Sequence, residues 1–526
     1  MSKAAKSEIN NELSYEELIA AKAFLEQENE LLTFKIKELQ KYIFGKRSEK
    51  QVVESSKEQV SLFEGECQEE REDDIDDYIE VSSHKKRKKK SKKEIPEDLP
   101  VDEVVYEPRE THCEECGEEL QEFSRDIREE LEFNPSRFFR RQHITVHCSC
   151  PKCKKTASGV VPVENKPVIP GSQIGAGFLA HLMTSRICDH LPYYRQSQMY
   201  ERLGVYFPDK PLSRYGLQCG ALLEPVAKAI KQELLSKDYL QADETRLKVL
   251  EKGRESDCNV DVKDVEHIHT EQIHTEQIHT GQLWVLSNPL EKEKLTYYEY
   301  HDSRSKDAAS LFLSGFNGVL QTDGYSCYEE HSGVHLECMA HARRYFVKAK
   351  DVTPKESNHV LKLIGRLYRI ESELKKNRGE LKEEQWYKRR LKQRKAHAVP
   401  ILEKLKSYLV ILKDKYLLEG HPLYKAIHYM LNRFEALSLY TTDGRFEIDN
   451  NHVERMIRPI AIGRKNWLFC GSHHGARMAA VLMTVINACK QRSINPQEYL
   501  KDVLPRLAQT ETTSIKGLTP LDWVKP

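Results

Sequence analysis

The run YLQADETRLKVL, from Tyr239 to Leu250, decides how the rest of the chain is read. Apolar side chains alternate through it with the period of a half-covered β-strand, and Asp243 sits where such a strand seldom carries a charge. Outward from it, GQLWVLSN (Gly281 to Asn288) and LTYYEYHDS (Leu295 to Ser303) repeat the strand pattern. A helix is expected near Lys306 to Leu313, and GVLQT (Gly318 to Thr322) makes a fourth strand that delivers Asp323 into an Asp-Gly turn. Asp243 and Asp323 are therefore expected on adjacent strands.

A third acid, Glu454 in DNNHVER, falls on a helical stretch with Asn450 and Arg458 one turn to either side. Two strand-borne aspartates with a helix-borne glutamate is a layout that holds two divalent cations against a phosphodiester, because hard cations take carboxylate oxygens. The plain alternative is that, among 82 acidic residues, these three are solvated surface groups. Asp449 is a second choice for the third acid, although its place at the helix start suits capping better. Three strands, a helix, then a strand ending in an acid is the element order of a ribonuclease-H-like α/β fold.

The segments CMAHARRYF (Cys338 to Phe346) and IDNNHVERMIRPIAIGRKNWLFCGS (Ile448 to Ser472) carry a family resemblance, supported by FGKRSEK (Phe44 to Lys50) and LPYYRQ (Leu191 to Gln196). With them the chain resembles the insertion-sequence-sixty-six (IS66) family of DDE transposases, in its large catalytic subunit. The resemblance implies an enzyme that cleaves transposon ends and joins them to target DNA. Asp243, Asp323 and Glu454 would hold two Mg²⁺ ions, or Mn²⁺, that activate first a water and then a freed 3′-hydroxyl. His341, Arg343, Arg344, Arg455, Arg458, Arg464 and Lys465 would hold phosphates, the alternative for each being a surface or intrahelical salt bridge. Trp467 could stack on a displaced base, or be buried. Accessory proteins of the same element are implied as partners. Two other functions stay open: a ribonuclease-H-like nuclease without strand transfer, and an inactive DNA-binding regulator.

The 526 residues suffice for several domains, and 82 Lys plus Arg against 82 Asp plus Glu make net charge uninformative. Its distribution is not. Glu64 to Glu80 carries ten acids and Lys85 to Lys93 eight cations, so residues 51–100 are expected to be a flexible charged linker, whose basic half could grip phosphates or simply be solvated. Before it, Leu18, Leu25, Leu32 and Leu39 recur at sevens, with Asn29, Ile36 and Ile43 at the alternate core position. Residues 1–50 thus read as a coiled coil forming a parallel homodimer, or as an amphipathic helix packed on its own domain. No apolar run nears eighteen residues and the polar start lacks a secretory signal, so no membrane partner and a cytoplasmic location are expected.

Thirteen cysteines, an odd and scattered set, argue for reduced thiols. Cys113 and Cys116 (CEEC) with Cys150 and Cys153 (CPKC) suit a structural Zn²⁺ in a domain spanning 101–166, although HCSCPKC offers Cys148 in place of Cys150. Residues 167–236 read as three helices, Gly175 to Ile187, Tyr193 to Leu203 and Ser213 to Leu235, either a helix-turn-helix with Arg214 and Tyr215 at the reading helix or a plain helical bundle. The catalytic domain is placed at 237–475, with a helical insertion at about 348–437 that could position DNA or a partner, and a C-terminal helical element at 476–526. Three copies of IHTEQ or IHTGQ, from Ile268 to Gln282, read as a loop expansion at a hairpin tip, since a step of five keeps their histidines off a common face.

Overall fold

A computed structural model describes residues 15–44, 99–108, 111–112, 115–134, 137–251, 277–290, 294–416, 418–509 and 515–525. The charged segment 51–98, Cys113, and the first and most of the second histidine repeat lie outside the described residues. Two units are resolved, the first ending at Ile95 and the second running from Pro96.

In the first unit, α1 (Tyr15–Phe44) is one continuous helix. Leu25, Leu32, Ile36 and Leu39 stand exposed along it in the single chain.

The second unit begins with β1 (Val101–Tyr106), β2 (Gln121–Asn134), β3 (Arg137–Ser149) and β4 (Thr156–Ser158), in a sheet where β3 pairs with all three others. The long β2–β3 hairpin escapes a hydrophobicity reading because its cross-strand pairs are charged, Arg140 with Glu129 at 2.5 Å among them. Its inner residues are apolar or paired: Leu131, Phe138, Ile144 and Val146 are buried, and buried His143 bridges the Tyr106 hydroxyl and the Glu130 carboxylate, each at 2.7 Å.

Three helices follow, α2 (Ala176–Ile187), α3 (Tyr193–Arg202) and α4 (Asp209–Leu235). The last starts four residues before the expected Ser213, because Pro211 is tolerated in a first helical turn. Tyr215 is buried in this helix, so it cannot read bases, whereas Arg214 is exposed. The buried Glu132 carboxylate accepts from the Gly177 amide at 3.3 Å, which ties the β2 strand to the N-terminus of α2.

The central sheet runs β7–β6–β5–β8–β9, with β5 (Tyr239–Glu251), β6 (Gln277–Asn288) and β7 (Leu295–His301) antiparallel, and β8 (Val319–Thr322) and β9 (His335–Glu337) added in parallel beyond β5. The short helix α5 (Lys306–Phe312) joins the two halves. The expected strands, helix and strand appear in that order. β9 was not foreseen, since three residues are too few to show a period. The third histidine repeat, Ile278 to Gln282, is part of β6 rather than a loop: its backbone pairs with the far end of β5, and the reading of that copy as loop is corrected.

Beyond β9 lie α6 (Met339–Ala349) and the insertion, α7 (Pro354–Lys376), α8 (Glu383–Gln393), a π-turn at Arg394–Ala398, α9 (Val399–Lys415), α10 (Pro422–Asn432) and α11 (Phe434–Ser438). Val360, Ile364, Leu367, Leu405, Leu409, Ile427 and Met430 build its core, which continues through Phe346, Tyr440 and Phe446 to Tyr239 of the sheet. α12 (Asn451–Trp467) and α13 (His473–Gln491) cover the sheet face that presents Leu247, Val249, Leu283, Val285, Tyr298 and Tyr300. α14 (Pro496–Gln509) completes the unit, burying Tyr499, Leu500, Val503 and Leu504. α13 is core as expected, and it packs so closely on α4 that a side chain at Gly220 would meet Met478. None of the described helices is long and apolar enough to cross a membrane.

Candidate functional site

The parallel pairing of β5 with β8 sets Gln241 opposite Gln321, so two residues on, Asp243 and Asp323 leave the two strands at the same level. Asp243 shares the strand face of Gln241, Leu247 and Val249, which is the face covered by α12. Its Oδ1 accepts from the Glu244 amide at 2.8 Å. Asp323 opens a tight turn: its Oδ1 accepts from the Tyr325 amide at 2.9 Å, and Gly324 adopts φ +83°, which explains the Asp-Gly pair.

Glu454 occupies the first turn of α12, half-buried, with Asp449 Oδ1 accepting from the Asn451 amide at 3.2 Å. The N-cap itself is Asn450, so Asp449 stands one residue before the cap position expected of it. Burial, then the charges of Glu244, Asp323 and Glu454, push the Asp243 carboxyl well above the ordinary aspartate range. A cluster of carboxylates that raises the proton affinity of its deepest member is short of positive charge. Hard oxygen donors in that state fit divalent cations, although among the described residues these three are not drawn together as tightly as the cysteines described below. Part of the charge is met by Arg344, whose Nη2 donates to both Glu454 oxygens at 3.1 and 3.3 Å and whose Nη1 donates to His341 Nε2 at 2.8 Å.

The remaining cations expected at phosphates are divided between α6 and different sides of α12. Arg455, Arg458 and Lys465 are exposed on α12, Arg343 is half-buried on α6, and half-buried Arg464 donates to the Arg246 carbonyl. Trp467 is buried, with the Arg186 guanidinium 5.0 Å from its ring centre, so the packing alternative holds.

Residues that the sequence reading passed over lock this constellation. Gln241 Nε2 donates to Gln321 Oε1 at 2.7 Å and to the Asp449 carbonyl at 3.0 Å, while its Oε1 accepts from the Val453 amide at 3.2 Å. Gln321 Nε2 donates to the Glu447 carbonyl at 2.9 Å, and its Oε1 accepts from the Tyr239 hydroxyl at 2.5 Å. Two fully buried glutamines, one on each aspartate strand, thus hold the backbone that leads into Glu454. Their signal was the shared spacing in QAD and QTD. From the insertion, Tyr429 donates its hydroxyl to the Asp323 carbonyl at 2.6 Å, and Arg433 Nη2 donates to the Gly324 carbonyl at 3.0 Å. Glu337, at the end of β9 beside that turn, is raised to about 7 by burial, against the pull of Arg433 and with a push from Asp323.

At the other end of the unit, the sulfurs of Cys116, Cys150 and Cys153 lie within 4.8 Å of one another, Cys116 and Cys150 at 3.3 Å. Cys148 instead belongs to β3, opposite Glu122 and Ala157, so of the two candidates it is Cys150 that joins the cluster. Three gathered thiols just after and before strand ends fit a structural zinc site.

Comparison with known proteins places these features. A model described as the zinc-finger binding domain of transposase IS66 matches residues 110–154, and one described as transposase C of IS166 homeodomain matches residues 31–104. Two proteins of Sinorhizobium fredii (strain NBRC 101917 / NGR234) are similar along most of their length. Uncharacterized protein y4jD is 29% identical over 448 residues, 82% of this chain and 81% of its own, and uncharacterized protein y4hP is 27% identical over 460 residues, 83% and 78% respectively. A model described as the transposase IS66 family matches residues 171–260 and 268–478, which takes in both aspartates, the insertion, and the glutamate helix, and by that match the chain belongs to the IS66 family of transposases.

Proposed function

We propose that this transposase is the catalytic subunit that cuts transposon ends and joins them to target DNA, using Asp243, Asp323 and Glu454 in a ribonuclease-H-like domain. The observation that carries the reading is the register of β5 on β8: it brings the two aspartates level, with the helix of Glu454 fastened over them by Gln241. The strand order, three antiparallel strands followed by two parallel ones beyond the first, supports the ribonuclease-H-like assignment.

The three carboxylates would hold two Mg²⁺ or Mn²⁺ ions, which supply Lewis-acid stabilisation of the phosphoryl group and of the attacking oxygen. The chain itself does the positioning. Gln241 and Gln321 fix the third acid against the first two, and Tyr429 and Arg433 fix the turn of the second. Arg455, Arg458 and Lys465 offer exposed cations for the DNA backbone, and Arg344, which also bonds His341, meets the Glu454 charge. The thiol cluster, completed by Cys113, would hold structural Zn²⁺. The exposed heptad leucines of α1 support a parallel homodimer.

The test is cleavage of end-labelled DNA bearing the element's terminal sequence, with Mg²⁺ present. Asp243→Asn, Asp323→Asn and Glu454→Gln are each expected to lose cutting by at least about a thousandfold while retaining DNA binding. Strand-transfer products distinguish a transposase from a simple nuclease. Cutting that persists in all three variants would sink the assignment.

A further inference from the structure

The connection between α12 and α13 contains the most strained backbone near the site. Leu468 has φ 62° and ψ −54°, and the Phe469 amide donates to the Trp467 carbonyl at 2.7 Å. That is a γ-turn of the rare positive-φ kind, which a bulky residue adopts at a cost and glycine adopts freely. Such a conformation persists only where its surroundings over-determine it. Here they do: the Leu468 amide closes the helix on the Arg464 carbonyl at 2.9 Å, Cys470 pairs with Lys248 and Leu250 of β5 at 2.9 Å each, and Trp467 is buried beneath.

The turn carries Cys470 into the core beside β5, but it does not bury its own two central side chains. Leu468 is 62% exposed and Phe469 39%, so the turn holds two large apolar side chains out in water. Ile462, also exposed, lies six residues before Leu468 on the same helix. Glu454, Arg458 and Lys465 fall within a narrow sector of α12, so the outward face that starts at the proposed catalytic glutamate carries cations up to the strained tip. An apolar tip ending a cationic track fits a polyanion with stacked apolar interiors, which is duplex DNA.

We propose that Leu468 and Phe469 form a nucleobase contact, a wedge pressed against the base stack of the bound DNA end. Counted along the helix, the tip lies roughly 20 Å from Glu454, about six base-pair steps from the cleaved phosphate. The proposal rests on the reading of Glu454 as part of the cutting site only for that distance. The cation track and the strained turn are independent of it.

The experiment uses the full-length protein and duplexes ending in the element's terminal repeat, with 2-aminopurine placed at successive positions within the first helical turn. The expected result is a rise in fluorescence at one or two positions on binding. Leu468→Gly, which relieves the backbone rather than threatening it, should abolish that rise and slow end cleavage on the order of tenfold, with an unchanged or higher Tm. Phe469→Ala should weaken the same signal. A rise that survives in both variants overturns the proposal. So does a Leu468→Gly protein whose light-scattering mass changes while the fluorescence does not, since the tip would then be a protein interface. Because the signal needs binding and no cleavage, the Asp243→Asn protein separates the two readings: cutting that persists there refutes the acidic site and leaves the wedge standing on its own signal.

Discussion

The segment that leads into Glu454 is held from two sides by different chemistry. From the sheet, it is gripped by neutral amides: Gln241, Gln321 and the Tyr239 hydroxyl reach the backbone of residues 447 to 453. From the insertion, it is gripped by charge. Arg390 and Arg394 are fully buried and share Glu371, and Arg390 also binds Glu447 at 2.8 Å while Arg394 donates to the carbonyls of Tyr440 and Asp443. Amides bond at any pH, and removing one strands its buried partners at a cost of about 1–3 kcal/mol. Buried ion pairs are costly to desolvate and fail badly when one partner is removed. The insertion, which the sequence offered as a means to position DNA or a partner, thereby braces the segment that leads into Glu454.

Removing a partner from the charged side is expected to have the largest effect. Arg390→Met leaves Glu371 and Glu447 undercompensated and should cost about 3–5 kcal/mol, measured by denaturant unfolding. A loss below about 1 kcal/mol would put the brace in doubt. On the amide side, Gln321→Leu strands the Glu447 carbonyl and the Tyr239 hydroxyl and should cost about 1–3 kcal/mol. Its cleavage rate should fall further than its stability. Equal losses in both would make the glutamine structural only.

Acid distinguishes the two sides with a smaller effect. Burial raises Glu447, but Arg390 and Lys375 outweigh it and hold the carboxyl below its ordinary value of 4.5. A group depressed in the folded state stabilises fully above its unfolded value and loses that contribution as pH falls toward the folded one. Stability should therefore decline below about pH 4.5, and Glu447→Gln should flatten the decline. An unchanged slope in the variant would assign the loss to other carboxylates.

The sheet was legible because its strands carry period-two apolar patterns and an Asp-Gly turn; Asp243 interrupts such a pattern and Asp323 follows one, whereas Glu454 stands on a helical stretch. The β2–β3 hairpin was not, since QEFSRDIREELEFN pairs charge with charge and shows little apolar alternation. Arg390 and Arg394 were invisible for the same reason: in a run as basic as KRRLKQRK, burial of two arginines leaves no compositional trace. Gln241 and Gln321 could have been suspected, as polar residues inside strands that read as buried. Leu468 could not, because its backbone angle is imposed by Cys470 pairing with β5 across more than two hundred residues.

The bond from Gly177 to Glu132 has a bearing on how the cysteine-flanked hairpin is inherited. Its carboxylate closes a helix within the stretch that the family model matches, and Leu131 exchanges backbone bonds with Gln173 and Gly175 next to it. A finger strung on a tether could be exchanged between relatives without consequence. This one is spliced into the first turn of its neighbour, so a chain cut at residue 170 would begin with an open helix end and a bared Phe178.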